Sequence, residues 1–294
     1  MSDVINSPLE RGRGVWKTYT SDIWHTPFPL SRGEITNDYT IMEIKIEQLR
    51  KNFGEKVAVD IDTYTIHSGD MIGLVGNNGA GKTTLFRLML DLLQADNGSV
   101  HIGENNVCQN EDWKAHTGAF IDDGFLIDYL TPEEYFYFVG KMYGMKKEEV
   151  DERVAQFERF MNGEVIGHKK LIRDYSAGNK QKIGIISALL HQPKVLILDE
   201  PFNFLDPSSQ SIIKHLLKEY NQQTGATILV SSHNLNHTVD VCPRIALMEH
   251  GHIIRDIDNR DGSAEKELED YFNIANLPSW EGEGGVWQTS TCNI

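Results

Sequence analysis

Cysteine is scarce in this 294-residue chain. Its three cysteines, Cys108, Cys242 and Cys292, stand far apart, are odd in number and form no C-x-x-C pair. That excludes a disulfide framework and fits unpaired thiols in a reducing compartment. Long apolar runs are also missing: no window approaches the 18 apolar residues that suggest a membrane span. The N-terminus lacks the basic-then-apolar layout of a secretion signal. A role at a membrane therefore requires spans supplied by another chain. Positive charge is short as well. Lys+Arg 28 against Asp+Glu 43 leaves a net charge of −15, which argues against non-specific nucleic-acid binding. What is present is ordinary for a globular protein: 40% apolar, 24% charged, and enough chain for one large or two small domains.

Residues 1–41 read as an irregular N-terminal extension with prolines and scattered aromatics. "SPLERGRG" at 7–14 and "FPLSRGE" at 28–34 resemble each other, which raises the expectation of a start that truly lies at Met42; a disordered arm is the alternative. From Met42 the pattern sharpens. "MEIKIEQL" and "KVAVDIDTYTI" alternate as half-buried strands. "MIGLVG" is a short buried strand running into glycines. "TTLFRLMLDLL" places Leu85, Leu88, Met89 and Leu92 on one helix face. Thr131-Pro132-Glu133-Glu134 is a capping box with proline at the first helical position. It opens a helix whose apolar face reads as Tyr135, Phe138, Val139 and Met142 and which ends at Gly144. A charged helix follows near 146–161. Strand "KVLILD", a helix after Asp206-Pro207, strand "TILVSS", a hairpin in "RIALMEHGHII" and a short helix at 263–275 complete the pass. Buried strands alternating with helices predict an α/β fold with a mainly parallel sheet, preceded by an antiparallel β part. The helical middle, about 124–175, reads as an inserted subdomain of a single unit over 42–262. The glycine-rich end of 263–294 reads as a flexible tail.

Gly76-Asn77-Asn78-Gly79-Ala80-Gly81-Lys82-Thr83 fits G-x-x-x-x-G-K-[ST], with a strand before it and a helix after it. Glycines permit a tight loop whose N–H groups wrap phosphates; Lys82 supplies a cation, and the Thr83 hydroxyl can ligate Mg²⁺. Thr84 follows in the same helix start. Asp199 and Glu200 end the apolar run Val195-Leu196-Ile197-Leu198, at the strand end where open parallel sheets bind ligands. Asp199 suits the Mg²⁺ shell, and Glu200 suits a proton acceptor for an attacking water. "YSAGNKQKIGIISALL" at 175–190 is a second candidate anion site. Ser176 is a helix N-cap, Gly178 admits close approach, and Ile183, Ile186 and Leu190 give helical spacing to an amphipathic helix. His233 in "SSHNLNH" carries three readings from its neighbours alone: a γ-phosphate contact, half of an i, i+4 metal pair with His237, or a structural histidine. The metal pair lacks the glutamate of H-E-x-x-H and a third ligand.

Taken in order, the phosphate loop, "YSAGNKQK", "VLILDEP", "FNFLDP" and "SSHNL" resemble the ATP-binding domain of ABC transporters over roughly 42–262, in the texture of the export-type subgroup whose ATPase and permease are separate chains. The resemblance implies ATP and Mg²⁺ as cofactors and ATP hydrolysis coupled to transport. It implies a second ATPase subunit paired head-to-tail and an integral-membrane permease as partners, with no nucleic acid, at the cytoplasmic face of the membrane. It implies that Ser176, Ala177 and Gly178 meet the γ-phosphate of ATP held by the partner. Asp206 then sits at the dimer seam, His233 contacts the γ-phosphate, and Phe53 stacks on adenine. The sequence departs from the family at Ala177, in place of a glycine, and at Phe204, in place of a small residue. The usual glutamine between subdomains is absent, and Asp122 or Asp123 stands there, with Asp122 the candidate for holding Mg²⁺-bound water. A soluble ABC-type ATPase acting on ribosomes or DNA is the alternative. The single signature, the lack of a heptad run and the acidic charge weigh against it. A non-catalytic regulator is disfavoured by the intact Lys82, Asp199 and Glu200.

Overall fold

The computed structural model describes residues 42–275. The expectations for the extension, its repeated octet, the glycine-rich tail and Cys292 lie outside them. Two sheets form, with elements numbered in chain order. The smaller, antiparallel one contains β1 (Ile44–Phe53), β2 (Lys56–Ile66), β4 (Asn97–Ile102) and β5 (Asn105–Asn106), in the order β2-β1-β4-β5. The larger one has the order β10-β9-β3-β8-β7-β6 and contains β3 (Met71–Val75), β6 (Thr117–Phe120), β7 (Val195–Leu198), β8 (Thr227–Ser232), β9 (Arg244–Glu249) and β10 (His252–Asp258). β6, β7, β8, β3 and β9 run parallel; only β10 pairs antiparallel, as the return arm of a hairpin. Arg244 joins the two sheets by donating to Asp70 at 2.6 Å, Asp256 at 2.5 Å and the Thr65 carbonyl at 3.1 Å.

The near-continuous apolar runs of the parallel strands have a direct cause: both faces are covered. Along β7, Leu196 and Leu198 join one core, while Val195 and Ile197 join the other. β3, β8 and β9 alternate in the same way. Each fully buried aliphatic side chain contributes about 1.5–3 kcal/mol. The core under one face is completed by the antiparallel sheet and α1 (Lys82–Met89), the other by α5 (Ala177–Leu189), α6 (Pro207–Thr224) and the helices of the middle segment. Those are α2 (Pro132–Met142), α3 (Lys147–Ala155) and α4 (Glu158–Met161); α7 (Leu235–Val239) and α8 (Ala264–Ala275) follow the catalytic strands.

Four local expectations change. The helix after the phosphate loop stops at Met89; Asp91 takes a left-handed backbone (φ 52°), and Leu92 is turned out to solvent. Aspartate is one of the few residues that visits that region. In α2 the capping box at Thr131 forms as expected, but Tyr135, Phe136 and Gly140 are buried while Phe138 and Met142 are exposed. α2 packs against both α3 and α5, and those two neighbours, not the apolar stripe, choose its face. The single charged helix at 146–161 is two helices, because Phe157, Phe160 and Met161 turn into the core. Finally, α5 is not amphipathic: every residue from Gln181 to Leu189 is buried. It lies so close to β6 that a Cβ on Gly184 would meet the Phe120 ring at 2.0 Å.

A candidate nucleotide site at the strand ends

The parallel strands deliver their carboxyl ends to one rim. Val75 leads into the phosphate loop, Leu198 into Asp199-Glu200, Ser232 into His233, and Phe120 into the loop with Asp122 and Asp123; register places Val75 beside Ser232, and Phe120 beside Leu198. An open α/β sheet binds ligands at this rim.

The phosphate loop is squeezed between two backbones. A Cβ on Gly76 would meet the Met248 carbonyl oxygen at 2.2 Å, and one on Gly81, where φ is +113°, would meet that of Ala58 at 2.3 Å. Only glycine fits at both positions. Asn77, Asn78 and Gly79 face solvent, while Ala80 is buried. Lys82 is 6% exposed, and its ammonium donates to the Gly76 carbonyl at 2.6 Å and stands 3.8 Å from Glu200. Burial pushes the Lys82 pKa below its ordinary value, and the Glu200 and Asp199 carboxylates act against that push.

Thr83 Oγ1 donates to Asp199 Oδ2 at 2.5 Å, and Ser231 donates to Asp199 Oδ1. A hydroxyl and a carboxylate oxygen side by side form a hard-donor pair. This suits Mg²⁺, which takes one or two protein oxygens and completes its shell with water and substrate phosphate. Among the described residues no group of three His, Cys, Asp or Glu gathers to hold a metal, so no third ligand of these types joins His233 and His237. His237 instead lies against the Phe202 ring, 5.2 Å between centroids.

Glu200 has a left-handed backbone (φ 48°), a strained conformation for a side-chain-bearing residue. Its N–H donates to Ser231 Oγ at 2.8 Å, and its carbonyl accepts from Gln181 Nε2 at 3.1 Å. His233 Nδ1 lies 2.9 Å from Glu200 Oε2. An ionised carboxylate only accepts, so Nδ1 carries the proton in this pair.

The other sequence-derived residues fall into two groups. Ser176 caps α5 by accepting from the Asn179 N–H at 3.3 Å; Ser176 and Ala177 are exposed. A Cβ on Gly178 would lie 2.6 Å from the Phe204 carbonyl, so this glycine fastens the signature turn to the segment before Asp206. Asp206 caps α6, accepting from the Ser208 and Ser209 N–H groups, each at 3.0 Å. Phe53 is 53% exposed at the end of β1, with the Lys51 ammonium 5.8 Å from its ring centre. Asp122 is engaged elsewhere: one oxygen accepts from the Gly124 N–H at 2.9 Å, the other from Arg87 at 3.0 Å. Neither oxygen contacts the Thr83–Asp199 pair. Asp123 and Asp128 both flank Lys180, each at 3.8 Å. Ser231, Gln181, Arg87 and Lys180 were not singled out from sequence. "SSHNL" contained the first of them, but nothing local signalled which serine would hold Asp199.

A phosphate loop at a strand end, a hydroxyl–carboxylate pair beside it and a glutamate paired with a histidine match a nucleoside-triphosphatase of the phosphate-loop class. Comparison with known proteins narrows it. The family model described as "ABC transporter" matches residues 59–203, and an AAA-domain model described as a putative AbiEii toxin of a type IV toxin–antitoxin system matches 167–240, partly overlapping it. An uncharacterised ABC transporter ATP-binding protein of Bacillus subtilis, YhcH, is 35% identical, with 82% of this chain and 77% of the relative covered. The bacitracin transport ATP-binding protein BcrA of Enterococcus faecalis is also 35% identical, over 74% of this chain and 70% of the relative. The linearmycin resistance ATP-binding protein LnrL of B. subtilis is 33% identical, over 72% and 68%. Among solved structures, the ATP-binding cassette MJ0796, a dimer bound to ADP and Pi, shares the fold with a TM-score of 0.66 at 23% identity, over 74% of this chain and 99% of that one. The chain belongs to the ATP-binding proteins of ABC transporters, and its fold is that of the phosphate-loop ATPase cassette.

Proposed function

We propose that this chain hydrolyses ATP with Mg²⁺ to energise a separately encoded membrane permease, and that ATP drives head-to-tail pairing with a second ATPase subunit. The observation that carries the reading is an imbalance between two helix starts. The start of α1 is embedded in its own chain through Lys82, Thr83 and Asp199. The start of α5 presents Ser176 and Ala177 to solvent. A helix N-terminus favours negative charge, and a second subunit's ATP supplies it.

In this reading the phosphate-loop N–H groups and Lys82 bind the β- and γ-phosphates. Thr83 and Asp199 hold Mg²⁺, which neutralises charge on those phosphates. Glu200 accepts a proton from the attacking water as its oxygen bonds to γ-phosphorus and the bridge to ADP breaks. His233 keeps the Glu200 carboxylate aimed. Loss of the γ-phosphate removes the group that both subunits grip, so closed and open dimers exchange populations.

Two features support a membrane partner. Among the described residues, six of the ten exposed large hydrophobic ones, Phe125, Ile127, Tyr129, Phe138, Met142 and Tyr143, fall within 125–143, next to Asp122 and Asp123. The relatives BcrA and LnrL carry transport and resistance names. The test is Glu200→Gln, tagged in its native cell. With ATP the purified variant sediments as a dimer, and with ADP as a monomer. A polytopic membrane protein co-purifies in mild detergent at near-equal stoichiometry. Wild-type turnover in the variant overturns the role of Glu200; a ribosomal or DNA-bound partner overturns the transport reading.

A further inference from the structure

Lys56 opens β2, three residues beyond Phe53 across the tip of the β1–β2 hairpin. It is exposed, and no hydrogen bond or ion pair engages its ammonium among the described residues. Its neighbours differ: Lys51 is paired with Asp96 at 2.9 Å, and Lys82 is fastened to the carbonyls of the phosphate loop. The Lys56 ammonium is not simply in open solvent. A Cβ built on Gly79 would lie 3.9 Å from its Nζ. Gly79 is the exposed crest of the phosphate loop, with φ +84°. An uncompensated cation therefore stands over the outer side of the loop while Lys82 lies buried beneath it. The same hairpin tip presents the exposed ring of Phe53.

We infer that Lys56 is a second phosphate-binding cation, closing on the polyphosphate of a bound nucleotide from the hairpin side. It makes the tip a two-point latch, with Phe53 on the base and Lys56 on the phosphates. The inference rests on the phosphate-loop reading above. An ammonium is a compact point charge without the fork geometry of a guanidinium, so charge decides its contribution more than direction does. It strengthens binding of tri- and diphosphates and leaves the nucleoside unaffected. Being exposed, it is screened by salt.

The test measures ATP and ADP affinity by calorimetry, and adenosine binding by NMR at millimolar ligand, on the full chain. It compares wild type with Lys56→Ala, Lys56→Arg, Lys56→Glu and Lys82→Ala, at low and high salt, with melting temperatures as a fold control. Lys56→Ala weakens ATP and ADP about 5-fold. Lys56→Glu weakens them further, and Lys56→Arg stays within about 2-fold of wild type. Adenosine binding is unchanged, and the wild-type advantage narrows at high salt. Unchanged ATP affinity in both Lys56→Ala and Lys56→Glu, with binding lost in Lys82→Ala, overturns the latch and leaves the phosphate-loop reading standing. An equal loss for adenosine and ATP also overturns it, since that marks a merely structural role for the hairpin. Wild-type ATP affinity in Lys82→Ala overturns the phosphate-loop reading itself, and the latch with it.

Discussion

The two helix starts proposed to meet nucleotide phosphates, those of α1 and α5, are built to opposite rules. Around α1 the polar groups are buried and paired: Lys82 is 6% exposed, Asp199 is 5% exposed, and each has partners in its own chain. Around α5 Ser176 and Ala177 are exposed, and beside them Phe204 is 73% exposed in a left-handed backbone, φ 63°. An exposed phenylalanine in that region is costly twice over, in hydration and in backbone strain. The first start is buried and paired within its own chain, and the second is a surface. Under the proposed function, that surface is completed by association with another chain.

The comparison breaks most sharply at Lys82. Lys82→Ala removes the buried cation and reduces ATP affinity by about 100-fold or more, roughly 3 kcal/mol, the cost of a lost hydrogen-bonded charge; calorimetry on the monomer reads it. Gly178→Val attacks the other half alone. Its side chain is driven against the Phe204 carbonyl, and the signature turn shifts. ATP-dependent dimerisation and steady-state turnover fall by about 100-fold, while ATP affinity of the monomer stays within about 2-fold. Equal loss in both assays would show that the two halves are not separable.

A pH experiment sharpens the contrast further. His191 lies just past the end of α5, its ring stacked on Tyr143 at 3.6 Å between centroids. Burial pushes its pKa down to about 4, and the nearby His116 acts in the same direction against a raising contact to the Thr117 backbone. The folded state therefore binds this proton less readily than the unfolded chain. Stability from this source is complete above about pH 6.5 and is lost as the pH falls from there toward 4, by at most about 3 kcal/mol. His191→Leu flattens the acid arm of a melting-temperature profile over that window, and an unchanged profile would assign the acid sensitivity elsewhere. The smallest effect is at Asp206. Hydrogen bonds from Ser209 and Ser208 hold its carboxyl below the ordinary carboxylate range. Its capping contribution is thus present above the ordinary aspartate value and is lost as pH falls through the depressed one. Asp206→Ala costs about 1 kcal/mol of cap and lowers the melting temperature by about 2–4 °C in differential scanning calorimetry.

Legibility in the sequence followed the range of the interactions. The phosphate loop, the strand ending in Asp199-Glu200 and the capping box at Thr131 are local patterns whose physics is complete within a dozen residues. The boundaries of β2, read from its alternation, and of β8, read from a short buried run, match for the same reason. Helix faces were harder. The stripe Tyr135, Phe138, Val139, Met142 satisfies helical periodicity, yet α2 turns Phe138 and Met142 outward because Val150 and Leu190 close on Gly140 from two sides. The uniform burial of α5 also escaped the pattern, since Gln181 and Lys182 look like surface residues. In the fold Gln181 braces the Glu200 carbonyl and Lys182 pairs with Glu164 at 3.1 Å.

What the sequence by itself determined is the local pattern: a glycine loop followed by a lysine and a threonine, a carboxylate pair after a buried strand, and a histidine at the end of the next strand. Tertiary structure decided the partnerships. Ser231 holds Asp199 across 32 residues, Arg87 holds Asp122 across 35, and Lys56 comes over Gly79 from another sheet. These contacts depend on strand register and on which edges adjoin. Such long-range pairings are fixed only once burial of the apolar faces has chosen one packing of the two sheets.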